Sequence, residues 1–281
     1  MGNKKDIAYL EDIAYEIRKN LILLAERTTI HIGGDLSVTE ILTVLWQRVL
    51  KYDFANPSWE ERDRFILSKG HCAVTVAFNL AIQGCFSVED IFEEYATNEC
   101  RFSMAPCKHK NLFYESSATG SLGQGLSIAV GIALALRAKG NKKRKVYVAM
   151  GDGELQEGSN WEAIMYAAQL KLDNLVVIID NNGVQFDGMT DDIVSVQNMI
   201  ENCINLGWST VKVDGNNIKA LLKVFNEFLH EGKPLMINAK TIKGKGVDYM
   251  ENNYKWHAGR IKAEMLESTL KKLEDNYNRG K

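Results

Sequence analysis

Hydrophobic residues follow two different spacings along this chain. From Asp6 to about Glu26 they recur at helical spacing with charged residues between them, which predicts an amphipathic helix. Later, short and nearly continuous apolar runs alternate with helical segments; these runs are "RFILS", "VYVAM", "LVVIID", "WSTVKV" and "PLMINAKT". Such runs are typical of parallel strands covered by helices on both faces. The pattern predicts an α/β fold, with a mainly parallel β-sheet and helices on both faces.

Local signals refine this outline. Ser37 and Glu40 form a capping-box pattern before "ILTVLWQRVL", which predicts that a second helix starts there. "RFILS" runs into "KGHCAVTVAFNLAIQG", so His71 is predicted at a strand-to-helix turn. Residues 96–121 show no sustained period and are predicted to form a long, functional loop. Without a linker or repeat, residues 1–281 are interpreted as one domain that ends in a helical tail at about 260–281.

Composition indicates a globular protein that acts on a small ligand. The chain has 281 residues, of which 46% are hydrophobic and 25% charged, with a net charge of -2. This balance provides no basic surface for nucleic acid, and no apolar run is long enough for a membrane span. The cysteines are odd in number and never spaced as CxxC, which favours a cytoplasmic location. Cys100, Cys107 and His109 have the irregular spacing of loop residues rather than that of a zinc site.

An acid and an amide follow two successive predicted strands in "GDGELQEGSNWEAIMYAAQLKLDNLVVIIDNN", residues 151–182. Because the carboxyl ends of neighbouring parallel strands lie together, Asp152 and Asn182 are expected to be close in space. Their oxygen atoms suit Mg²⁺, which usually keeps positions for phosphate oxygens and water.

The surrounding residues suit a diphosphate. Gly151 and Gly153 allow close backbone approach, and a helix predicted to start near Gln156 directs free N–H groups toward anionic oxygens. Glu154 and Glu157 would repel a bare phosphate, and the metal would offset their charge.

The arrangement of GDG, 27 residues and NN resembles the thiamine diphosphate motif, and the surrounding sequence resembles transketolases. The resemblance extends from about Ile17 to Gly259 through "HIGGDLS", "RFILSKGH", "TGSLGQGLSIAVG", "GDGELQEGSNWEA", "KTIKGKGV" and "WH". It implies the thiamine diphosphate-binding fold. It also implies the separate N-terminal subunit of a split transketolase, since transketolases carry two further domains.

The resemblance implies roles for individual residues. Mg²⁺, or Ca²⁺ or Mn²⁺ as a substitute, would be held by Asp152, Asn182 and the main-chain carbonyl of Val184. Glu157 would face its symmetry mate across a dimer and serve catalysis. The residues implied to bind the cofactor are His71, Gly120, Leu122, Gly123, Gly151, Asp152, Gly153, Glu154, Asn182 and His257.

Histidines are the side chains best able to exchange protons near neutral pH. By resemblance, His31 faces the ketose, His71 lies near the diphosphate and the reacting carbon, and His257 approaches both. His109 is a further catalytic candidate, but the proline that usually follows the family's loop histidine is missing. Ala258 also replaces a frequent glycine, so the sugar specificity stays open.

The implied reaction transfers a two-carbon ketol unit from a ketose phosphate to an aldose phosphate, using thiamine diphosphate and Mg²⁺. A C-terminal transketolase subunit would supply the pyrimidine-binding domain, in a heterotetramer with two copies of each chain. Three alternatives stay open: a specialised ketol transferase, an enzyme like deoxyxylulose phosphate synthase, and a cofactor-binding scaffold without turnover.

Overall fold

Five parallel strands form one sheet in the order β1-β2-β3-β5-β4 in the computed structural model, which describes residues 4–98, 100–115, 119–141, 143–227 and 232–279. The strands are β1 (Arg64–Leu67), β2 (Val146–Gly151), β3 (Leu175–Asn181), β4 (Ser209–Asp214) and β5 (Leu235–Lys240). The predicted parallel sheet is therefore confirmed, and β3 lies at its centre.

Ten α-helices are present in the described part of the chain. They are α1 (Lys4–Arg27), α2 (Ile32–Val44), α3 (Ala73–Ile82), α4 (Val88–Glu94), α5 (Gly125–Ala138), α6 (Gly158–Gln169), α7 (Thr190–Ile193), α8 (Gln197–Asn205), α9 (Ile218–Glu227) and α10 (Ala263–Arg279). Short 3-10 turns occupy Gly70–Cys72, Gly153–Gln156 and Tyr254–Trp256, and a π-helical turn, Leu45–Val49, extends α2.

Alternate residues of the central strands pack into two separate hydrophobic cores. Tyr147 and Ala149 of β2 lie in the core formed with α1, α2, α3 and α9. Val146 and Val148 of the same strand lie in the core formed with α5, α6 and α8. The prediction of helices on both faces is confirmed, and it explains why these strands read as continuous apolar runs.

The predicted start of the second helix is wrong. Helix α2 begins at Ile32, directly after His31, so Ser37 and Glu40 lie inside the helix. Their side chains bind tertiary partners instead of capping: Ser37 donates to Asp180 at 2.6 Å, and Glu40 pairs with Arg18. Sequence pattern alone cannot distinguish these two uses of a serine and a glutamate.

The helix predicted near Gln156 is also displaced. A 3-10 turn occupies Gly153–Gln156, and α6 begins only at Gly158.

The tail predicted at about 260–281 forms α10, which packs against α1. The rings of Tyr15 and Tyr277 stack with centroids 4.3 Å apart, and Leu273 is buried. None of the helices in the described residues has the length and apolar character needed to cross a bilayer.

The buried pair of Arg18 and Glu40 should matter for stability. Arg18 is 6% exposed and Glu40 7%, and Asn216 also donates to Glu40 at 2.9 Å. Arg18→Met should lower the free energy of unfolding by about 3–5 kcal/mol, because it leaves a buried carboxylate unpaired. Urea denaturation measures this change. The double variant Arg18→Met/Glu40→Met should recover part of the loss, and a fully additive double variant would contradict this account.

Candidate active site at the carboxyl ends of the strands

The carboxyl ends of β2 and β3 meet, as expected for neighbouring parallel strands. Asp152 follows β2 and Asn182 follows β3. The Asp152 carboxylate accepts hydrogen bonds from the backbone N–H groups of Gly183, at 2.6 Å, and Gly153, at 2.8 Å. The strand ends thus lie within hydrogen-bonding distance of each other, on the edge where α/β proteins bind their ligands.

Three oxygen donors of the predicted metal site belong to this junction. Asp152 and Asn182 are buried, and the Asn182 side-chain oxygen accepts from the N–H of Val184 at 3.0 Å. The Val184 side chain is buried, while its carbonyl accepts from Lys243 Nζ at 2.7 Å. A carboxylate, a carboxamide oxygen and a carbonyl are ligands that suit a hard divalent cation.

Asp180 is the centre of a buried polar network beneath these donors. It lies in β3 and pairs with Lys69, which follows β1. It also accepts hydrogen bonds from the hydroxyls of Ser37 and Thr241, and from Asn182 Nδ2 at 3.3 Å. Sequence reasoning missed Asp180 and Lys69; the only signal was a charged residue within or after an otherwise apolar strand.

Lys243 is the second buried cation of the site and was also missed. Its Nζ lies 3.0 Å from His257 Nδ1, in addition to its bond to Val184. Burial and the charge of Lys69 lower the pKa of Lys243 to about 8. Burial and the charge of Asp180 raise the pKa of Asp152 to about 6. Both shifts describe a site where added charge of either sign is costly unless a counter-ion enters.

Three of the predicted catalytic histidines form one cluster. The ring centroids of His31, His71 and His257 lie 5.2–5.6 Å apart. Burial, followed by the charge of Lys243, lowers the pKa of His31 and brings that of His257 to about 3. Burial and Lys69 hold the pKa of His71 well below its ordinary value. All three rings are therefore neutral near pH 7 and can accept or donate a hydrogen bond.

The cluster leaves space that fits a bound ligand. His31 Nδ1 is buried and has no hydrogen-bond partner among the described residues. A Cβ atom on Gly33 would lie 2.5 Å from the Trp256 carbonyl oxygen, and one on Gly34 would lie 3.2 Å from His71 Nε2. Glycines are thus needed where the backbone passes the histidines, and an unsatisfied ring nitrogen faces an unfilled position.

The loop before α5 packs against both the β1 end and the start of α6. A Cβ on Gly70 would lie 2.4 Å from the Thr119 carbonyl oxygen, and one on Gly123 would lie 2.7 Å from Glu157 Cβ. Gly123 has a φ of 87°, which favours glycine. Gly120 is exposed and Leu122 is half-buried, so both can contact a ligand or a partner.

The remaining candidates lie apart from the histidine cluster. Glu157 is exposed at the N-terminus of α6. His109 is exposed in a turn closed by a hydrogen bond from Asn111 to Cys107, and the ring contacts of the described residues do not join it to the cluster. Within the predicted loop of residues 96–121, Glu99 and residues 116–118 lie outside the described residues.

Comparison with known proteins shows what the chain resembles. Residues 21–279 match the family model for the thiamine diphosphate binding domain of transketolase. One of the named subunits of the apulose-4-phosphate transketolase of Actinobacillus succinogenes is 39% identical over 277 residues, which cover 97% of this chain and 99% of that protein. The 6-deoxy-6-sulfo-D-fructose transketolase subunit SqwG of Clostridium sp. MSTE9 is 36% identical, over 87% and 88% of the two chains.

Solved structures agree. The transketolase of Campylobacter jejuni superimposes with a TM-score of 0.85 at 27% identity, over 99% of this chain and 43% of that one. The transketolase of Leishmania mexicana gives a TM-score of 0.84, with 96% and 41% covered. The chain thus spans less than half of these transketolases, but nearly all of the Actinobacillus succinogenes subunit. The thiamine diphosphate-binding fold predicted from sequence is confirmed.

The neutral state of His71 predicts a pH effect on stability. The unfolded chain binds a proton at this position below about pH 6.5, whereas the folded chain does not. Relative to His71→Gln, the unmodified cofactor-free chain should therefore lose stability as the pH falls below that value, by at most about 1.4 kcal/mol per pH unit. Urea unfolding at several pH values measures the difference. His71→Asn should behave like His71→Gln, and parallel stability curves for all three proteins would contradict the assignment.

Proposed function

The chain belongs to the transketolase family, and we propose that it is the N-terminal subunit of a two-chain transketolase that uses thiamine diphosphate and Mg²⁺. The observation that carries the proposal is the junction of the β2 and β3 ends, where three oxygen donors lie beside two buried lysines and three neutral histidines. Oxygen donors suit the metal, and lysines suit a diphosphate.

The proposed metal ligands are the Asp152 carboxylate, the Asn182 carboxamide oxygen and the Val184 carbonyl. Metal binding would place a positive charge beside Asp152, which favours its ionised form. Lys243 now donates to the Val184 carbonyl and would turn toward the diphosphate when the metal takes that oxygen. Ca²⁺ and Mn²⁺ have the same preference for oxygen ligands and are proposed as substitutes.

Thiamine diphosphate, when bound, supplies a carbon nucleophile for breaking and forming the bond beside a sugar carbonyl. Gly151, Gly153 and the lysines are proposed to hold its diphosphate. The protein's own contribution to the chemistry comes from the histidine cluster. His31, whose Nδ1 lacks a partner among the described residues, is proposed to bind the sugar hydroxyls and move a proton, and His71 and His257 to orient the reacting atoms.

A partner chain is part of the proposal. Two relatives that this chain matches along almost their whole length are named as subunits of a transketolase, which implies a second chain in those proteins. We propose a C-terminal transketolase subunit that carries the pyrimidine-binding domain, in a heterotetramer of two copies of each chain. Glu157 would then face its counterpart across the dimer. All five cysteines are free, in keeping with a reducing compartment such as the cytoplasm.

The substrate class is proposed as sugar phosphates, with an unusual sugar as the second candidate. Two relatives are named for apulose 4-phosphate and for 6-deoxy-6-sulfo-D-fructose, neither of which is a common metabolic ketose. The loop with His109 departs from the family's histidine-proline pattern, and that position is exposed here. A specialised ketol transferase would explain this departure, whereas a scaffold without turnover would not explain the ordered histidine cluster.

Reconstitution tests the proposed division into two chains. The chain alone should show no ketol transfer, and addition of the C-terminal subunit should restore it, because the pyrimidine-binding half of the site would come from that second chain. Coupled assays with a panel of ketose and aldose phosphates measure the activity. Full activity of the chain alone would contradict the two-chain proposal, and no turnover with any sugar would favour a scaffold.

Asp152→Ala tests the proposed metal site. In the two-chain complex, calorimetry should show that Mg²⁺-dependent affinity for thiamine diphosphate falls by about 100-fold or more, since loss of even an outer-shell partner can cost that factor. Asp275→Ala, on the exposed surface of α10, is the matched control and should bind as the unmodified complex does. Unchanged affinity in Asp152→Ala would refute the metal assignment.

A further inference from the structure

The carboxylate of Glu154 lies where three segments of the site meet. Glu154 is only 2% exposed. Its Oε1 accepts hydrogen bonds from the Ser68 hydroxyl and from the backbone N–H of Gly123, the latter at 2.9 Å. Its Oε2 accepts from the backbone N–H of Gly151 at 3.2 Å. The three donors come from the end of β1, the loop before α5 and the end of β2.

Each donor is next to a residue of the proposed site. Ser68 directly precedes Lys69, Gly151 directly precedes Asp152, and Gly123 follows Leu122. One carboxylate therefore connects the segments that carry a buried cation, a proposed metal ligand and the loop proposed to line the cofactor.

The role of this carboxylate is distinct from that of the buried ion pairs. Among the residues that the structure describes, no lysine or arginine forms an ion pair with Glu154. Its oxygens are instead satisfied by neutral donors, and such charge-assisted bonds are stronger than those between neutral groups. Both oxygens are engaged within the chain, so direct contact with an anionic cofactor would require breaking these bonds.

The loop held by Glu154 is fixed from its other side as well. The Ser159 hydroxyl donates to the Gly123 carbonyl at 2.8 Å, and Glu157 Cβ leaves no room for a side chain at Gly123. Gly123 is thus held through its N–H by Glu154 and through its carbonyl by the start of α6. The N–H bond is the one that orients the loop toward the ends of β1 and β2.

We propose that Glu154 is a positioning residue that holds the 119–124 loop against the ends of β1 and β2, and thereby sets where Gly120 and Leu122 face thiamine diphosphate. The inference rests on the proposed function and assigns Glu154 an action through Gly123 rather than a contact with the cofactor. Loss of this anchor should loosen the loop and weaken cofactor binding, while the histidine cluster stays in place.

Two substitutions separate the anchor from general stability. Glu154→Gln keeps the size but turns one acceptor into a donor, which must face the N–H of Gly151 or the pair of donors on the other oxygen. Glu154→Asp keeps the charge but is shorter by one methylene, so it cannot reach all three donors. Glu267→Gln makes the same chemical change as the first variant on the exposed surface of α10 and serves as the matched control.

Hydrogen exchange of the two-chain complex without cofactor tests the anchor directly. Backbone amides of residues 119–125 should exchange roughly 10- to 100-fold faster in both Glu154 variants than in the unmodified complex or Glu267→Gln, because a hydrogen bond to a charged group is typically worth that factor. Exchange in β4, at the far edge of the sheet, should not change. Calorimetry should show thiamine diphosphate affinity lower by about tenfold or more, with kcat at saturating cofactor within about twofold of the unmodified value.

Unchanged exchange at residues 119–125 would overturn the proposal. Faster exchange in β4 as well would also overturn it, since it would show a general loss of structure. If Glu154→Gln does not assemble with the partner, Glu154→Asp decides by the same measurements. An unmodified complex without affinity for thiamine diphosphate would refute the proposed function and the cofactor-facing part of this inference, whereas normal affinity in both Glu154 variants would refute this inference alone.

Discussion

The ion pair between Lys69 and Asp180 connects the ends of β1 and β3 across the end of β2 that lies between them. Both side chains are almost fully buried, at 2% and 1% exposure. Burial alone would raise the pKa of Asp180, but Lys69 and the hydroxyls of Ser37 and Thr241 hold it below its ordinary value. Because a buried charge is costly unless it is paired, this network constrains four elements at once: the ends of β1, β3 and β5, and helix α2. The proposed metal ligands lie directly above it.

The parallel alignment of the strands explains how residues distant in sequence share one site. The sheet was predictable because its strands are buried on both faces and therefore read as continuous apolar runs. Asp152 and Asn182 were predictable for the same reason, since the residue after each strand lies on the same edge of the sheet. His31, His71 and His257 were proposed from a family resemblance, and the structure brings all three together.

The residues that sequence reasoning missed are those whose role depends on tertiary partners. Lys69, Asp180 and Lys243 stand within or beside apolar segments, and nothing in their spacing shows that they meet. Ser37 and Glu40 matched a helix-start pattern, yet both side chains bind groups far away in sequence, Asp180 and Arg18. Glu154 was interpreted as a cofactor ligand because it follows GDG, whereas its three hydrogen-bond donors are visible only in the folded chain.

The central claim is that the ends of β2 and β3 hold one divalent cation together with a diphosphate. The most direct test is anomalous diffraction from crystals of the two-chain complex grown with Mn²⁺ and thiamine diphosphate. The account predicts one anomalous peak at about 2–2.5 Å from oxygens of Asp152, Asn182 and Val184, with diphosphate oxygens completing the coordination. A bound cofactor whose metal lies elsewhere, or no peak at these strand ends, would contradict it.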